Sequence, residues 1–124
     1  MVKTYAIVLG AIFVLLGILG FVPPLNPDGN LFGIFHVDAV HNVVHLVSGL
    51  AVLGAVLAGG VYPRLAAQVI GLVYGVIAVL GFLIGEGVVL GFLEVNVADN
   101  VLHAVIALSA LYVGFTPESR AARK

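Results

Sequence analysis

Long apolar runs, broken by short polar, glycine or proline segments, make up most of the chain. Tyr5 to Val22 carries no charge and stops at Pro23-Pro24, where the missing N–H ends a helix. Ala39 to Ala58 ends at Gly59-Gly60, Leu65 to Gly85 carries only Gln68 as a strongly polar residue, and Val97 to Phe115 stops before Pro117. A helix crosses roughly 30 Å of hydrocarbon with about 20 apolar residues. The pattern therefore predicts four spans, 5–22, 39–58, 65–85 and 97–115, in one domain covering 1–124. Their Gly and Ala content suits close helix contact in lipid. Lys3 ahead of span one is also how a secretory signal begins. The run is longer than a signal core and lacks an A-x-A-like cleavage site, so span one is expected to be retained.

Composition narrows the class. Of 124 residues, 62% are hydrophobic and 9% charged, against about 25% charged in an ordinary soluble domain. So few charges cannot cover a soluble globule, and so apolar a chain is not disordered. Five basic residues and a net charge of −1 exclude nucleic acid as a partner. Without Cys there is no thiolate ligand or cysteine nucleophile. The basic residues Lys3, Arg64, Arg120, Arg123 and Lys124 all fall on one side of a four-span chain. Asp28, Asp38, Glu86, Glu94 and Asp99 fall on or near the other. The positive-inside rule then places the N-terminus, the middle loop and the C-terminus in the cytoplasm of a plasma-membrane protein. The lipid bilayer is the one partner this specifies; self-association is compatible with it, and no small-molecule ligand is indicated.

Sliding the chain by 58 residues aligns 31–56 with 89–114, with identities that include Gly33/Gly91, Asn42/Asn100 and His45/His103. A shift of 61 aligns GAIFVLLGILGF with GLVYGVIAVLGF in spans one and three. Apolar identities carry little weight in membrane helices; the paired Asn and His carry the match. The fold expected is an all-α, integral membrane four-helix bundle. It is built from two duplicated helical hairpins, units 5–58 and 65–115, with pseudo-two-fold symmetry along the membrane normal.

Polarity concentrates in two matched segments, HVDAVHNVVH (36–45) and EVNVADNVLH (94–103), which hold all four histidines. On a helix, Asp38, His41, His45 and Ser48 share an arc of about 80°, and Asn96, Asp99 and His103 repeat its first three positions. Asp38 and Asn96 stand where N-caps belong, and Asp99 can complete a capping box with Asn96. Asn42 and Asn100 suit interhelical hydrogen bonding. His41, His45, Asp99 and His103 form two i, i+4 pairs whose donors suit Zn²⁺, with Cu or Fe also served by imidazole. His36, Glu94 and Asp38 supply further donors, enough for a second ion.

The preferred function is therefore a membrane metal-binding protein with a His/carboxylate site near the extracytoplasmic ends of spans two and four. The alternative is a non-catalytic bundle whose His/Asn/Asp cluster only joins helices. A third is b-type haem electron transfer through His45 and His103. Catalytic residues are not indicated: Ser48 and Ser109 lie on different faces, which leaves a Ser-His-acid triad unsupported. Below the cluster only Gln68 and Tyr74 continue the polarity, so a proton path is not expected. The connecting segments, apolar at LFGIF and VVLGFLEVN, are expected to fold over the outer mouth of the bundle. With HVDAVHNVVHLVSG and DNVLHAVIAL the chain resembles a family of small prokaryotic four-span membrane proteins catalogued as a domain of unknown function. That resemblance implies the four-helix topology and weight on the HN-V-V-H and DN-V-L-H positions, and no activity.

Overall fold

The computed structural model describes residues 1–117, so the basic residues Arg120, Arg123 and Lys124 lie outside the described part. Four long helices carry the chain: α1 (Val2–Leu19), α2 (Ala39–Ala58), α3 (Tyr62–Ile84) and α4 (Val97–Phe115). All four are long and apolar enough to cross a membrane, the architecture of a multi-pass protein. Spans two and four have the limits expected. Helix α1 ends at Leu19 instead of Val22, because Asn26 turns back and donates through Nδ2 to the carbonyls of Gly20 (2.9 Å) and Val22 (2.8 Å). Helix α3 begins at Tyr62, with Pro63 in the first turn, where its missing N–H costs nothing. Gly59 and Gly60, both at positive φ, make the tight turn between α2 and α3.

The purely α-helical expectation needs one correction. The segments leading into α2 and α4 each contain a small antiparallel hairpin, β1 (Asn30–Leu31) with β2 (Phe35–His36), and β3 (Gly87–Val89) with β4 (Leu93–Val95). Both turn through a left-handed pair, Phe32-Gly33 and Leu90-Gly91, with φ of 55° and 73° in one and 56° and 79° in the other. Their inner faces seal the end of the bundle: Leu31, Val89, Leu93 and Val95 are buried. Asn96 Nδ2 donates to the Ile34 carbonyl at 2.9 Å and ties the second hairpin to the first.

The helices pack mainly as two antiparallel pairs, α1 with α2 and α3 with α4. Small residues make the close approach possible. A Cβ on Gly10 would lie 2.7 Å from Leu53, and one on Gly17 2.6 Å from Leu46. One on Gly71 would lie 2.8 Å from Leu111. Gly20 and Gly81 leave the space filled by the side chains of Asn42 and Asn100. Two hydroxyl pairs bridge one helix pair to the other: Tyr5 with Ser109 (2.7 Å) and Tyr74 with Ser48 (2.9 Å). At the end away from the hairpins, Arg64 donates to the carbonyls of Gly114 (2.9 Å) and Thr116 (2.8 Å), and Gln68 also donates to Gly114. Those carbonyls end α4, where a cation is favoured.

Burial is inverted relative to a water-soluble domain. Val47, Leu50, Leu72, Val79, Val105 and Leu108 are exposed, while His41, Asn42, His45, Asp99, Asn100 and His103 are buried. Lipid satisfies the apolar exterior, and the polar groups must find their partners inside.

Candidate metal centre

Helices α2 and α4 each start at a side-chain cap that fixes their rotation. Asp38 Oδ1 accepts from the His41 N–H at 2.8 Å. Asn96 accepts from the Asp99 N–H at 2.8 Å, and Asp99 Oδ2 accepts from the Asn96 N–H at 2.9 Å, a complete capping box. The expected caps are thus all present. With the starts matched, His45 and His103 are each the seventh residue of their helix and stand at the same depth along it.

Three of the four proposed ligands come together. His41, His45 and His103 can each turn one ring nitrogen into a group whose members all lie within 4.8 Å of one another. Ring centroids are 4.6 Å apart for His41–His45, 5.5 Å for His41–His103 and 6.2 Å for His45–His103. Relative exposure is 1%, 4% and 1%. Phe13 packs on His45 at 5.8 Å, Tyr74 meets His103 edge-on at 5.5 Å, and the two aromatic rings touch each other at 5.1 Å. The imidazoles thus sit on an aromatic floor contributed by α1 and α3.

These rings make few polar contacts. Both nitrogens of His41, Nε2 of His45 and Nδ1 of His103 are buried without a hydrogen-bond partner. Buried polar atoms in folded proteins are nearly always paired, and each unpaired one costs about 1–3 kcal/mol. Four such nitrogens lie together in one small space. Asp99, the fourth proposed ligand, is not in the converging group: it is buried, and its Oδ2 accepts from the Asn96 N–H in the cap.

The other proposed donors form a separate group. His36 on β2, Asp38 at the cap of α2 and Glu94 on β4 also bring ligand atoms within 4.8 Å of one another, but near the surface. His36 Nε2 lies 3.3 Å from Glu94 Oε2 and 3.8 Å from Asp38 Oδ2. The asparagines behave as joints. Asn100 Nδ2 donates to Gly81 (2.9 Å) and Gly85 (2.7 Å), closing the last turn of α3, and Asn42 fills the notch at Gly20.

Sequence reasoning missed the partners of the hydroxyls. Ser48 was placed on the histidine face, but nothing in the pattern paired it with Tyr74, or Ser109 with Tyr5. Under the 61-residue shift Phe13 matches Tyr74, and that match was the available signal for the aromatic floor.

Residues 3–116 match the family model described as Domain of unknown function (DUF4383), and the chain belongs to that family. No curated protein and no solved structure matches it.

Proposed function

For this member of a family without an assigned activity, we propose that His41, His45 and His103 bind one transition-metal ion inside the helix bundle. The observation that carries this reading is the set of four buried, unpartnered ring nitrogens on three converging imidazoles. A tetrahedral zinc site needs Zn–N distances of about 2.0–2.1 Å, hence nitrogens about 3.3 Å apart. Small ring rotations bring atoms that lie within 4.8 Å to that spacing. An all-imidazole set favours Zn²⁺, with Cu and Fe served by the same donors. Asp99 acts by capping α4 and so aiming His103, which leaves the fourth coordination position to a water or another small donor.

Hydrogen-bonded helix joining without metal fits less well, because Asn100 does that work and four of the six imidazole nitrogens have no hydrogen-bond partner. Haem between His45 and His103 is disfavoured by the His41, Phe13 and Tyr74 rings packed against that pair. A duplicated origin for the two hairpins is supported by the contacts they share: Gly20–Asn42 with Gly81–Asn100, Gly10–Leu53 with Gly71–Leu111, and two left-handed turns 58 residues apart. An extracytoplasmic site is supported by Arg64 at one end of the bundle and Asp28, Glu86 and Glu94 at the other.

Elemental analysis of detergent-purified protein tests the reading. The wild type should carry about one zinc per chain, and His45→Ala and His103→Ala should empty it. Asn42→Ala should stay loaded, since it loosens packing only. A folded wild-type chain that takes up no zinc, and whose stability ignores both chelator and His45→Ala, overturns the proposal.

A further inference from the structure

Three imidazoles exposed by only 1–4% need a route by which an ion reaches them. The hairpin end of the molecule supplies the chemistry for one. A cleft of about 280 Å³ opens there, with Asp28, His36, Glu86 and Glu94 in its wall and no Lys or Arg among its lining residues. Such an acidic, partly enclosed opening concentrates cations and speeds their arrival. His36 and Glu94 of its wall converge with Asp38, from β2, β4 and the α2 cap. These three are a mixed nitrogen and carboxylate set, and a true ligand group rather than a patch of negative charge. Asp38 is divided between tasks: Oδ1 holds the His41 N–H, and Oδ2 points toward His36.

His41 connects this group with the buried one. It begins one turn below Asp38, whose Oδ1 accepts from its backbone N–H. It is 1% exposed, and both of its ring nitrogens lack a partner, although the buried triad uses only one of them. Its ring also lies beside the backbone of His36, a member of the outer group.

We propose that His36, Asp38 and Glu94 form a second, solvent-reachable site for divalent transition-metal ions, which captures the ion and passes it to the buried triad through His41. The proposal rests on the triad reading and adds the path by which that site fills. Carboxylates and one partly exposed imidazole hold such an ion weakly enough to release it. The three buried imidazoles hold it tightly.

Cobalt(II) titration of the full chain in detergent separates the two sites, with stoichiometry from equilibrium dialysis and loading rate from stopped-flow absorbance. The wild type should bind two ions, one tight and one weak. The double variant His36→Gln/Glu94→Gln should lose the weak ion, keep the tight one, and load it about tenfold or more slowly. His45→Gln, with His45→Ala as a second variant should it fold poorly, should lose the tight ion and keep the weak one. A double variant that keeps two ions or loads at the wild-type rate overturns the loading site and leaves the triad standing. A weak ion that survives in a wild type with no tight one overturns the triad and the hand-over together. A wild type that binds a single ion lost in His45→Gln overturns the second site alone.

Discussion

Gly81→Ala should cost this protein about 3 kcal/mol, far more than an alanine in a membrane helix ordinarily does. Asn100 is fully buried, and its amide crosses α3 where Gly81 has no side chain. A Cβ there would meet the Asn100 Oδ1 and come within 2.8 Å of its Cγ. The amide must then withdraw and give up its donations to Gly81 and Gly85. Hydrogen bonds between membrane helices are worth about 0.6 kcal/mol each, up to about 1.7, so two contribute about 1–3 kcal/mol. Overpacking adds about 1–3 kcal/mol, and the better helix propensity of Ala returns about 1 kcal/mol. Reversible unfolding in mixed micelles measures the sum. Gly75→Ala is the control, since its Cβ would sit 3.8 Å from that of Ala107 in ordinary contact. That variant should be neutral or up to about 1 kcal/mol more stable. Adding Asn100→Ala to Gly81→Ala removes the collision, so the double variant should lose less than the sum of the singles. A Gly81→Ala protein within about 0.5 kcal/mol of wild type, or an additive double variant, would refute the reasoning.

Lowering the pH should release the bound ion, because protons compete for the same imidazole nitrogens. Any stability the metal provides is present at neutral pH and lost as the pH falls; a melting temperature of loaded protein that ignores acid argues against imidazole ligation. Asp99→Ala should cost about 1 kcal/mol through the lost cap while zinc stoichiometry stays near one; metal loss on a folded background would make Asp99 a ligand. Single cysteines at Glu86 and Arg64 should label from opposite sides of the membrane, with Glu86 reached from outside. Labelling from one side contradicts the four-span orientation.

Much of this molecule is visible in its sequence because a bilayer permits few alternatives. Uncharged runs of near-spanning length must be helices, so α2 and α4 could be delimited to the residue. The capping pattern D-x-x-H and N-x-x-D then fixed where His41, His45 and His103 point, since a helix start sets the rotation of all that follows. Asp99 was harder to assign, because the same carboxylate suits a cap and a metal, and the completed capping box is visible only in the structure. The hairpins were illegible for a different reason. Their strands are only two or three residues long, and their turns place Phe32 and Leu90 in left-handed backbone conformations such residues rarely adopt. The Tyr5–Ser109 and Tyr74–Ser48 bonds depend on how far one helix pair slides along the other, a quantity no local pattern contains.

The line between the two helix pairs runs through the imidazole cluster. His41 and His45 belong to the half made first during synthesis, and His103 belongs to α4, made after the other three helices. Neither half holds all three imidazoles of the cluster, so an ion bound there as proposed would tie the first helix pair to the second. Tyr5–Ser109 fastens the same two halves deeper in the membrane. A nascent chain lacking α4 would have two buried histidines and no means of completing their shell. If the triad binds its ion as proposed, occupancy would report that both helix pairs had been inserted and joined.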